Sequence, residues 1–109
     1  MLELTAQQIA LLERLRERGF ALVAFPLYAN YIGVRRGECA ALLAPVPGNG
    51  LRVFGDAFVM VAGNPAVRMQ RNGHEVYVWK GTEVPATPER NAALAAFASE
   101  LAELLLATA

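Results

Sequence analysis

The stretch AVRMQRNGHEVYVWK, residues 66–80, decides how the rest of the chain is read. Asn72-Gly73 lies between two alternating runs, and both residues tolerate the positive φ of a type I′ turn. That makes residues 66–80 a β-hairpin. A two-residue turn fixes the register. Arg71 then faces His74, Gln70 faces Glu75, Arg68 faces Tyr77 and Ala66 faces Trp79. Side chains alternate between the faces of a strand. Val67, Met69, Val76 and Val78 therefore share one face, expected to be core. Arg68, Gln70, Glu75, Tyr77 and Trp79 share the other, which is expected to serve a protein interface, with structural packing under a helix or a ligand platform as the alternatives.

Upstream, the chain continues as short apolar runs divided by turn residues. Phe20–Phe25 ends at Pro26. Leu27–Arg35 and Glu38–Val46 are expected strands joined at Arg36-Gly37. Pro45, Pro47, Gly48, Asn49 and Gly50 mark a loop. Leu51–Val61 reads as a long strand, bent or bulged at Gly55. Gly63-Asn64-Pro65 reads as the turn before the hairpin. Connections this short impose antiparallel pairing.

A helix is expected at each end. The first runs over Ala6–Arg18, with Thr5 as N-cap, Gln8 completing a capping box and Gly19 as the stop. Its apolar arc is Ile9, Leu11, Leu12 and Leu15, with Glu13, Arg14, Glu17 and Arg18 opposite. In the second, Thr87 is the N-cap and Pro88 occupies the first turn. Leu94, Phe97, Leu101, Leu104 and Leu105 share its apolar face. The expected architecture is α+β: an N-terminal helix, an antiparallel sheet of four to six strands, and a C-terminal helix packed on the sheet. A curled sheet plugged by the last helix is the alternative.

Composition narrows the function. The chain has 109 residues, enough for one domain. Its single Cys forms no internal disulfide, and one Cys with one His falls short of a zinc cluster. Ten basic residues balance ten acidic ones, which disfavours nucleic acid held by bulk charge. No apolar stretch is long enough for a membrane span and no leader is apparent, so a cytoplasmic location is expected. Arg greatly outnumbers Lys, a usage typical of GC-rich bacterial genomes. Hydrophobic residues make up 55% and charged residues 18%. In a small domain that surplus needs a cover, and a second copy of the chain is the simplest one.

Charge is unevenly placed. Arg35, Arg36, Arg52, Arg68, Arg71 and Lys80 face only Glu38, Asp56 and Glu75 between residues 19 and 81. The last 28 residues are acidic, with Arg90 against Glu83, Glu89, Glu100 and Glu103. Complementarity within a chain or across a dimer accounts for this split. Arg68, Tyr77, Trp79, Arg35 and Arg36 are the candidate interaction residues. Aromatic and Arg side chains anchor protein interfaces, and they also stack bases or hold small anions.

Catalytic signatures are weaker. Cys39 sits in an apolar run with no His placed beside it, the pattern of an inert buried thiol. His74 is expected at an exposed turn. Glu38, Asp56 and Glu75 could supply acid/base chemistry, but Asp56 more simply pairs with Arg52 or occupies the bulge. Asn30, between Tyr28 and Tyr31, reads as a turn residue. No phosphate-binding glycine motif is present, and Ser99 falls mid-helix without a nucleophile elbow. No cofactor is implied. The expectation is a non-enzymatic interaction or regulatory module, dimeric with itself and contacting an unidentified protein partner. A platform for an anionic ligand or single-stranded nucleic acid is the alternative. An enzyme using the sheet carboxylates or His74 is a more distant one.

Overall fold

The computed structural model describes residues 4–47 and 50–106, so Gly48 and Asn49 of the expected loop lie outside the described residues. Helix α1 spans Ala6–Glu17 and helix α2 spans Pro88–Leu106. Between them run β1 (Ala21–Val23), β2 (Ile32–Arg36), β3 (Cys39–Val46), β4 (Gly50–Val61), β5 (Asn64–Pro65), β6 (Val67–Arg71), β7 (His74–Trp79) and β8 (Thr82–Pro85). Every pairing is antiparallel. The fold is α+β as expected, but the strands divide into two sheets, β1-β2-β3-β4-β5 and β6-β7-β8.

The division happens at residues 62–66. The turn there is Ala62-Gly63, both at positive φ, and not Gly63-Asn64-Pro65. Asn64 and Pro65 pair back onto Val61 and Met60. The Ala66 N–H then donates to the Val59 carbonyl, after which the chain leaves β4 and pairs with β7 instead. One continuous segment thus belongs to one sheet at its start and the other at its end.

Helix α1 begins as its cap dictates. The Thr5 side chain accepts from the Gln8 N–H and the Gln8 side chain accepts from the Thr5 N–H. Gln8 is also buried, because its Nε2 donates to the Gly50 carbonyl at 2.9 Å. It takes the inward place expected for Ile9, which is exposed. A glutamine is tolerated there because both ends of its amide are satisfied. In α2 the Arg90 N–H donates to the Thr87 hydroxyl, and Phe97 and Leu101 are buried.

The strand expected over Leu27–Arg35 is shorter than read. Leu27 and Tyr28 belong to a 3-10 turn over Pro26–Tyr28, and the strand starts only at Ile32. Pro26 fixes φ and withholds an N–H, which favours a turn over a ladder. The next connection is Gly37-Glu38, one residue later than Arg36-Gly37, since Arg36 pairs with Cys39. Gly37 takes φ +63°, which glycine adopts without cost. Gly55 is at φ +70° within a bulge that sets Gly55, Asp56 and Ala57 of β4 against Ala41 alone, as the sequence suggested.

Both helices cover the same side of the larger sheet. Leu11, Leu12 and Leu15 of α1 and Phe97 and Leu101 of α2 pack with Val34, Cys39, Ala41 and Leu43. The second sheet adds Tyr77, Trp79 and Val84, packed with Val59, Val61 and Leu94. Among the described residues, no helix is long and apolar enough to cross a membrane.

Candidate interaction face

The hairpin forms in the expected register. Arg71 pairs with His74, Gln70 with Glu75 and Arg68 with Tyr77, around Asn72 at φ +54° and Gly73 at φ +79°. Its faces are only partly as expected: Val76 is buried and Arg68, Gln70 and Glu75 are exposed, but the aromatic residues and the outer apolar ones have changed places. Tyr77 is buried against the core, whereas Val67 is 64% and Met69 40% exposed. Alternation identifies which residues share a face but not which face turns inward. Two aromatic rings bury more apolar area than a valine and a methionine. The Tyr77 hydroxyl is also provided for, since it donates to Oδ1 of Asn91 on α2.

The five candidate residues therefore do not converge. Tyr77 lies under α2. Trp79 is half-buried in the same cluster, with Lys80 Nζ 5.3 Å from its ring centroid. Arg68 is exposed and holds Glu75 through two hydrogen bonds of 2.9 Å. That pairing raises the Arg68 pKa and holds the Glu75 carboxyl below the ordinary carboxylate range. Arg36 turns to the helix side, where its guanidinium lies 4.5 Å from the Phe20 ring centroid and pairs with Glu100. Arg35 is exposed elsewhere, on the far side of the larger sheet.

That far side is where aromatic and Arg side chains do meet. Register places Gly33, Leu42 and Phe54 across one row and Arg35, Ala40 and Phe58 across another. Phe25 lies over Gly33: a Cβ added there would come within 2.9 Å of the Phe25 ring and meet the Val23 carbonyl oxygen. Phe25 packs edge-on against Phe58 with centroids 5.6 Å apart. Tyr31 stacks on Phe54 at 4.2 Å and 21° between planes. Phe54 is nevertheless 38% exposed. Arg52 lies across from Ala44, in the row next to Phe54. Neither Arg35 nor Arg52 takes part in an ion pair among the described residues.

Sequence reasoning missed Tyr31, Phe54, Phe58 and Arg52 as one surface. Alternation along residues 51–54 puts Arg52 and Phe54 on one face. Bringing in Tyr31 and Arg35 requires the pairing of three strands, and the bulge at Gly55 hides the phase of Phe58.

The candidate chemical residues are dispersed. Asp56 is exposed in the bulge and does not pair with Arg52. Glu38 is bound by the Arg90 guanidinium at 3.1 Å, and Arg90 also donates to the Pro85 carbonyl. His74 borders an open cleft of about 500 Å³ with Val76, Pro85, Thr87 and the Arg71–Glu83 ion pair. Cys39 is buried, and desolvation, reinforced by Glu38, pushes its thiol pKa up. Among the described residues, no three His, Cys, Asp or Glu side chains gather to hold a metal ion. No protein-family model matches this chain, and no curated protein or solved structure is significantly similar to it.

Proposed function

We propose that the protein is a small, non-enzymatic interaction module that assembles as a homodimer. The contact surface is the aromatic–Arg outer face of the five-stranded sheet: Tyr31, Phe54 and Phe58 at its centre, Arg35 and Arg52 around them. The observation that carries this reading is the partly exposed Tyr31–Phe54 stack. Helices cover one face of the sheet; on the opposite face Phe25 covers Ala40, Leu42 and Met60, and the stack at its margin, with Phe54 38% exposed, is left without a layer over it. Two such faces packed about 10 Å apart make a sheet sandwich, a standard way to bury an apolar sheet surface. The arginines match the residues that anchor protein interfaces. The raised thiol of Cys39 and the commitment of Glu38 to Arg90 favour a binding role over a chemical one. The excess of Arg over Lys suits a bacterial source with a GC-rich genome.

Sedimentation equilibrium of the wild type and of Phe54→Glu tests the proposal. A charge at the centre of the face must prevent its burial. The wild type is expected to associate at tens of micromolar, and the variant to fall to half the wild-type mass with unchanged circular dichroism. A monomeric wild type, or a variant of unchanged mass, refutes it.

One observation favours the second reading. The stacked rings share the outer face with Arg35 and Arg52, which have no acidic partner among the described residues. A base or an anionic ring system could extend that stack. Salt-sensitive binding of a short single-stranded oligonucleotide, lost in Phe54→Glu, would select this alternative.

A further inference from the structure

The free edge of β6 is a second surface, on a different part of the molecule from the sheet face above. All five of its residues are exposed. Which backbone groups it offers follows from the ladder. The Glu75 carbonyl accepts from the Ala86 N–H, so residue 75 directs its backbone toward β8. Its neighbours His74, Val76 and Val78 then direct theirs toward β6, where Arg71, Met69 and Val67 answer them. Arg68 and Gln70 are left with N–H and C=O pointing away from the hairpin. At the base, the Ala66 N–H is already bonded to Val59. The available edge is therefore residues 67–71.

Exposed edges are normally protected by proline, bulges or charge. Here β6 has neither proline nor bulge. Its two charges, Arg68 and Arg71, are neutralised across the hairpin by Glu75 and Glu83. The apolar residues Val67 and Met69 remain on the outer side.

We infer that β6 pairs antiparallel with β6 of a second copy, with Met69 opposite Met69 on the two-fold axis. This register puts Arg68 opposite Gln70 of the other copy, twice. All four free N–H and C=O groups on each side are then used, giving four inter-chain hydrogen bonds. Val67 falls opposite Arg71, so the register sets no like charges directly across from one another. Moving the axis to Arg68 would set two guanidiniums face to face. Moving it to Gln70 would push Arg68 against the turn residue Asn72. The result joins two three-stranded sheets into one of six strands, and the symmetry is that of a closed pair.

Cysteine capture tests the register. In a Phe54→Glu background the sheet-face contact is disabled, so failure of one proposal is separable from failure of the other. The native Cys39 is buried, and the parent chain serves as its control. Residues opposite each other in a non-hydrogen-bonded pair have Cα atoms about 4.5 Å apart, within disulfide range. Met69→Cys should form a covalent dimer on mild oxidation at least roughly tenfold faster than Val67→Cys or Arg71→Cys alone. Mixing Val67→Cys with Arg71→Cys should restore fast capture between the two. Equal rates at all three positions, or no gain on mixing, overturn the inference. Because all three sites are exposed, folding of each variant is readily checked by circular dichroism.

Discussion

Gly33 shows how a single position shapes the outer face. A methyl group there has no room between the Phe25 ring and the Val23 carbonyl. Gly33→Ala is expected to lower stability by about 1–3 kcal/mol, as overpacking does, read as a shift in denaturant midpoint. Cys39 is governed by burial instead. Its raised pKa keeps the thiol protonated at neutral pH, and its burial keeps reagents away. A thiol reagent should label it only as fast as the chain unfolds. Rapid labelling of the native protein would contradict this placement. Glu75 supplies the pH dependence. Its hydrogen bonds from Arg68 depress its pKa, so the pair's contribution is complete above the ordinary carboxylate range. It is lost as pH falls through the lowered value. A carboxyl NMR titration should show Glu75 moving back toward its ordinary pKa in Arg68→Ala.

At the scale of elements, helices and turns were more legible than faces. Caps act locally, so Thr5 with Gln8 and Thr87 with Pro88 placed both helix starts. Thr87→Ala should cost about 1 kcal/mol by freeing the Arg90 N–H, measurable by thermal or chemical denaturation. Asn72-Gly73 fixed the hairpin register because turn chemistry is also local. The orientation of that hairpin was not legible. It follows from the burial of Tyr77 and Trp79 against Val59, Val61 and Leu94, and Asn91, fourteen residues downstream of Tyr77, accepts the phenol proton. Tyr77→Phe should therefore lose about 1 kcal/mol without moving the hairpin. The candidate face was only partly legible for the same reason. Arg35 was identified, but its neighbours Tyr31, Phe54 and Arg52 reach it through pairings between β2, β3 and β4.

The whole molecule is extended for its size. Its radius of gyration is 14.6 Å, whereas a folded chain of this length averages about 13 Å. It exposes 6719 Å², against about 5,900 Å² for a typical monomer of this mass. The partly exposed Tyr31–Phe54 stack, the open edge of the hairpin and the excess surface are the features on which the proposed pairing with another copy rests. Charge complementarity operates mainly within the chain, through Arg36–Glu100, Arg68–Glu75 and Arg71–Glu83. This leaves Arg35 and Arg52 at the rim of the outer face.

Isotope-filtered NMR on a mixture of labelled and unlabelled chains tests that claim most directly. Only contacts between copies give cross-peaks in such a sample. The account predicts intermolecular cross-peaks from the rings of Tyr31 and Phe54. A sample of dimeric mass with no intermolecular signal from either ring would contradict it.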